Sequence, residues 1–86
     1  MIKYTKVGGV MKEKFEEEIT SEEARKYIKQ IKEDLEERGY DSIRQIAGYL
    51  ISGDPGFISS YKDCRTRMTE IDRTSLVEEL LDYYLS

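Results

Sequence analysis

The 86-residue chain has no histidine, a single cysteine and 18 acidic side chains. Histidine is the side chain whose ordinary pKa lies near neutrality, so proton transfer at pH 7 would have to use shifted carboxylates or lysines. Cys64 has no histidine to take its proton. It falls on the apolar face of a helical pattern, where packing is the expected role. One cysteine without histidine does not build a zinc site, and the carboxylates do not fit the spacing of a calcium loop. Gly53-Asp54-Pro55-Gly56 lacks the lysine and hydroxyl that follow a phosphate-cradling glycine loop. No catalytic residue, metal or cofactor is therefore expected, and the chain does not read as an enzyme.

Charge is the remaining chemistry. Residues 60–73 set Lys62, Arg65, Arg67 and Arg73 against Asp63, Glu70 and Asp72, a net of +1. A cationic helix after a short helix and a turn is one form of helix-turn-helix, and a small DNA-binding regulator is the alternative reading. Its electrostatic footprint is weak, and a total charge of −4 argues against broad nucleic-acid binding. A solvated helix face is the plainer account. Residues 1–12 carry Lys3, Lys6 and Lys12 and no acid, whereas residues 13–23 carry six glutamates against Lys14. Such blocks usually lie on solvated tails or helix starts.

These residues have to be positioned by a small helical domain. The stretch 39–56 organises it, with four of the six glycines and the only proline. Gly39 is placed to end a helix in the left-handed region, and Asp41 or Ser42 to cap the next. Asp54-Pro55 blocks continuation, because the residue before proline is pushed out of the helical region. Asp54 is expected to brace the Gly53-Asp54-Pro55 turn.

The first helix is predicted over 20–38. Thr20 and Glu23 fit a capping box, and Ala24, Tyr27, Ile28, Ile31 and Leu35 form one apolar stripe. Glu22–Lys26 and Asp34–Arg38 are spaced as ion pairs. The second helix, 42–52, is expected to bury Ile43, Ile46, Ala47, Leu50 and Ile51. Gly48 in its middle suggests a closely packed neighbour. Phe57 and Ile58 are expected as buried anchors. A third helix, 60–70, is expected to be capped by Ser59 or Ser60 and to bury Tyr61, Cys64, Met68 and Ile71, with Lys62, Arg65 and Arg67 outward. Asp72 caps a fourth, 73–85, with Ile71 stapled onto Leu76. Leu76, Val77, Leu80, Leu81 and Tyr84 form its wide stripe, and Tyr83 and Leu85 add apolar surface for a partner. This last helix and the Asp54-Pro55 turn are expected to build much of the core or a dimer face. Residues 1–19 show no sustained period; Ile2, Tyr4, Val7, Val10 and Phe15 could make a weak edge strand, but the stretch reads rather as a flexible tail ahead of a 20–86 domain.

A chain this short buries roughly 60–65% of its unfolded surface. A homodimer would bury more, and seven tyrosines suit such an interface. With one cysteine, no apolar run near ~18 residues and no signal-type h-region, a reducing cytoplasm is the expected location.

Gly39-Tyr40, Gln45-Ile46, Gly48-Tyr49, Ser52-Gly53-Asp54-Pro55, Val77-Glu78-Glu79-Leu80 and Tyr84-Leu85 together resemble the IreB family of small regulatory phosphoproteins of Gram-positive bacteria. The likeness spans about Leu35 to Leu85. It implies an all-helical homodimer. It also implies a negative regulator downstream of a membrane Ser/Thr kinase with extracellular PASTA domains, and of its phosphatase. In the family this regulator tunes proteolytic turnover of the first committed enzyme of peptidoglycan synthesis, and so resistance to cell-wall antibiotics. The implied partners are thus the chain itself, the kinase and phosphatase, and the cell-wall precursor enzyme or its protease.

Two departures stand out. The family's phosphorylated threonine lies a few residues before an N-terminal phenylalanine. Anchored on Phe15, that position falls near Met11-Lys12, where there is no hydroxyl. Thr5 is the nearest upstream threonine and the substitute candidate. Arginine in several relatives is replaced here by Ser60, and a basic pair by Thr69-Glu70. Arg65 and Arg73 match family arginines, and with Lys62 they are the candidate partner contacts.

Overall fold

The computed structural model describes Tyr4–Thr5 and residues 19–86. Helix α1 spans Ser21–Glu37, α2 Ser42–Ser52, α3 Cys64–Thr69 and α4 Arg73–Leu85. A single 3-10 turn fills Pro55–Phe57, and Tyr61–Asp63 is a turn kinked at Lys62. The domain is all-α. Its only sheet among the described residues is a two-residue parallel pairing of β1 (Tyr4–Thr5) with β2 (Ile19–Thr20), which sets Thr5 opposite Thr20. The rest of the expected tail, 1–3 and 6–18, lies outside the described residues.

Local chemistry fixes the helix ends. The Thr20 hydroxyl accepts the Glu23 amide, and the Glu23 carboxylate accepts the Thr20 amide, so both halves of the capping box are present. At the other end, the Tyr40 amide donates to the Leu35 carbonyl and the Gly39 amide to the Glu36 carbonyl. That is a Schellman closure. It needs a left-handed residue, supplied by Gly39 at φ +91°. Asp41 caps α2 through the Arg44 amide, and Asp72 caps α4 through the Ser75 amide.

The core is small. Ala24, Ile31, Leu35, Tyr49, Ile58, Cys64, Met68, Ile71 and Leu76 form it, and α1 packs against α2 and α3 to enclose it. The predicted stripe of α1 is the one that is buried, with Tyr27 and Ile28 at its edge. Ile71 and Leu76, flanking the cap of α4, both reach the core. Gly48 has the predicted neighbour: a Cβ there would lie 2.6 Å from Cδ1 of Phe57.

Several expectations are corrected. On α2, Ser42 and Tyr49 face the core, with Gln45 and Ile46 half-buried between them. Ile43 and Ile51 are 63% and 85% exposed, and Ala47 is exposed as well. Ile46 and Leu50 of the expected stripe do pack against the core, half-buried, and the fully buried Ser42 and Tyr49 lie about 100° round from its exposed members. The reason is polar satisfaction. Ser42 donates to the Glu36 carboxylate, and the Gln45 side chain accepts the Ser59 amide, tying that face inward. Phe57 lies over Gly48 at the surface rather than in the core; only Ile58 is buried. In α4 only Leu76 is buried, and Leu80, Leu81, Tyr83, Tyr84 and Leu85 are exposed. The last helix therefore contributes little to the monomer's core.

The third helix is also shorter than its pattern. It begins at Cys64, because Lys62 (φ 52°) and Asp63 (φ 60°) stand in the left-handed region. Neither is glycine, so each costs roughly 1–2 kcal/mol of local strain. Ser59 accepts the Tyr61 amide, and Ser60 makes no side-chain cap.

Candidate functional site

The cations expected to meet partners are all engaged within the chain. Arg65 is exposed as a residue, yet its Nε donates to the Ile58 carbonyl at 2.8 Å in a part-buried bond. This pins the loop before α3 to the start of that helix. Lys62 Nζ lies 2.8 Å from Glu37 Oε1 and 4.0 Å from Asp34 Oδ1. The Glu37 hydrogen bond holds the Lys62 ammonium above its ordinary pKa. Arg73 Nη1 donates to the Leu50 carbonyl at 3.0 Å, closing the open C-terminal end of α2 from the first turn of α4. Its guanidinium lies over Gly53, where a Cβ would come within 2.9 Å of it. Gly53, at φ +78°, donates its amide to the Tyr49 carbonyl. The Asp54 carboxylate accepts the Gly56 amide at 2.8 Å, and Pro55 follows at the first position of the 3-10 turn.

Arg67 turns inward, contrary to its expected outward direction. It is half-buried, and Nη1 meets Asp34 Oδ2 at 2.9 Å and the Lys62 carbonyl at 3.0 Å. Asp34 pairs with this residue rather than with Arg38, which instead sits 5.7 Å from the Tyr61 ring centre. The Arg67 hydrogen bond holds the Asp34 carboxyl below its usual range, with the Gln30 amide adding a second bond. Tyr27 donates to Glu70, and Arg67 lies 5.9 Å from the Tyr27 ring centre. Asp34 was missed as a buried group, although the signal was present. It stands three residues after Ile31, on the apolar stripe itself, and an acid there needs a cation from a facing element.

Cys64 is fully buried beside the Ile31 carbonyl, and burial pushes its thiol up, away from the reactive thiolate. Among the described residues no group of three or more acidic, cysteine or histidine side chains is placed to hold a metal. No described helix is long and apolar enough to cross a membrane. The helix-turn-helix reading loses its recognition helix. Helix α3 has only six residues, and two of its neighbourhood's cations, Lys62 and Arg67, are paired with acids.

The apolar faces that the core leaves uncovered meet one another. Ile28 of α1, Ile43, Ala47 and Leu50 of α2, and Leu80 and Tyr83 of α4 line an open groove of about 680 Å³. Arg25, Lys29, Lys32 and Glu33 stand along its α1 side, with Lys32 paired to Glu36 at 2.9 Å, and Glu79 stands on its α4 side. Arg25 lies 6.0 Å from the Tyr83 ring centre. The misplaced stripe of α2 and the surplus stripe of α4 thus belong to one surface. A family model described as the IreB regulatory phosphoprotein matches residues 9–86. Lys62, Arg65 and Arg73 fall inside the matched span, and Thr5 lies upstream of it.

Proposed function

The chain belongs to the IreB family of regulatory phosphoproteins, and we propose that it acts through protein contacts made by the α1/α2/α4 groove and by the cations around α3. The role is regulatory, and the family is not one of enzymes. The observation that carries the surface assignment is the exposure of Ile43 (63%), Leu80 (48%) and Tyr83 (73%) along one charged-rimmed groove. Contiguous apolar surface of that kind marks a site of protein contact.

A second copy of the chain is the first partner of this groove. Glu79 of α4 suits the Arg25 and Lys29 side of a facing copy. Through the donors not used in their bonds within the chain, Lys62, Arg65 and Arg73 are the proposed contacts for other proteins. In the cytoplasm these are a PASTA-type Ser/Thr kinase with its phosphatase, and the first committed enzyme of peptidoglycan synthesis or the protease that removes it. Negative control of that turnover would set resistance to cell-wall antibiotics. Thr5 is the proposed site of kinase input. Its backbone pairs with Thr20, the N-cap residue of α1, and negative charge near a helix start is favoured by the helix dipole.

Two measurements test this. Native mass analysis should give twice the 10.1 kDa chain, and Ile43→Glu should give the monomer with unchanged helicity. A native chain that stays monomeric would remove the groove from the account. Incubation with the cognate kinase followed by mass spectrometry should place phosphate on Thr5, and phosphate only elsewhere, or nowhere, would reject that site.

A further inference from the structure

We propose that the turn Tyr61–Asp63 is a two-state latch, locked in its kinked form by Arg67, whose straightened form extends α3 back toward Ser60 and frees Lys62. The motive is a conflict between sequence and conformation. Tyr61, Cys64, Met68 and Ile71 keep one helical face, and nothing in 60–70 is glycine or proline. Such a segment favours a continuous helix. The chain instead places two successive non-glycine residues in the left-handed region. Residues held in such regions persist only where their surroundings over-determine them, and they gather at switch elements.

The restraints are specific: Asp34 and Glu37 act from α1, and Arg65 and Arg67 from α3 itself, Arg65 also through its Nε bond to the Ile58 carbonyl. Arg67, fixed by Asp34, donates to the Lys62 carbonyl, holding that peptide in its turned orientation. Lys62 Nζ is drawn onto Glu37. The Arg65 amide bonds six residues back to the Ser59 carbonyl, where a continuous helix would give it the Tyr61 carbonyl. Cys64 and Met68, fully buried just beyond the kink, anchor the rest of α3 in both forms. Only the segment before Cys64 needs to move. In the straight form Lys62 leaves Glu37, and a partner carboxylate or phosphate becomes its counter-charge. That consequence rests on Lys62 being a partner contact, whereas the two-state turn stands on the geometry alone.

The test is solution NMR on the full chain. A strong intraresidue amide–Hα cross-peak marks positive φ, and it is expected at Lys62 and Asp63 in the native protein. Arg67→Met should weaken those two peaks and move Lys62 and Asp63 toward helical shifts, with α1 signals changed only around Asp34, which loses its partner. Glu37→Gln, an exposed change that leaves Arg67 in place, should give a smaller shift in the same direction. Lys62→Gly with Asp63→Gly should hold the kink and raise the melting temperature. Retention of full positive-φ signatures in both Arg67→Met and Glu37→Gln would overturn the latch. Loss of the α1 signals in Arg67→Met leaves Glu37→Gln to decide. If the turn switches but Lys62→Ala leaves native regulation intact, the latch stands and Lys62's partner role falls.

Discussion

Asp34 occupies a position on the α1 stripe that would otherwise hold an aliphatic side chain, and its tolerance there depends on Arg67. An ionised, hydrogen-bonded carboxylate below its ordinary pKa contributes stability above the unfolded value of about 3.9, and that contribution is lost as pH falls through the folded value. Glu36 adds to the same limb, held down first by the Ser42 hydroxyl and then by Lys32. Asp34→Asn should therefore lower the melting temperature at pH 7 and flatten its fall below about pH 4. Equal acid sensitivity of native and variant proteins would contradict the assignment. Gly48 gives a second residue-level outcome. Alanine there gains about 1 kcal/mol of helix propensity but collides with the base of the Phe57 ring. Gly48→Ala should destabilise the native chain by about 1 kcal/mol or more, and stabilise a Phe57→Ala background. Urea melts of the four proteins in this cycle measure the coupling directly.

At the scale of elements, α1 is closed at both ends by its own sequence, whereas α2 is closed partly by α4. Gly39→Ala, with open space around the new methyl, isolates the cost of positive φ and should destabilise by about 1–2 kcal/mol. Arg73→Met removes the donor that α4 supplies to the Leu50 carbonyl and should cost about 1 kcal/mol or somewhat more in urea melts. Its loss should also loosen Gly53 and the turn beyond it, visible as faster amide exchange at the end of α2. An unchanged exchange rate there would show that Arg73 merely lies over the turn.

At the scale of the molecule, the monomer leaves much of α4 and the Ile43, Ala47 and Ile51 part of the α2 stripe in water, and α4 touches the core chiefly through Leu76. A chain of this size has little stability to spare. If a second copy covers the groove, thermal stability must rise with protein concentration, because association stabilises the folded state by mass action. Ile43→Ser with Tyr83→Ser, both lining the groove and largely exposed, should abolish that dependence while changing the dilute-limit stability by no more than about 0.5 kcal/mol, as expected of exposed positions. A melting temperature independent of concentration in the native chain would separate the groove from self-association.

Residues 20–24, 39–42, 48, 53–55 and 72–76 carried their structure in their own identities. Capping side chains, left-handed glycines and the proline act within a few residues, so spacing alone determined four helices and most of their ends. The face that α2 buries was not legible, because Ser42 and Gln45 are satisfied by Glu36 and by the Ser59 amide, groups distant in sequence. Nor was the kink before α3, which local preference opposes and which Arg67, Asp34 and Glu37 impose from elements that meet only in the folded chain. Local hydrogen bonds are written in short stretches; the choice of which apolar face to spend on the core, and which to leave for another polypeptide, belongs to contacts between helices.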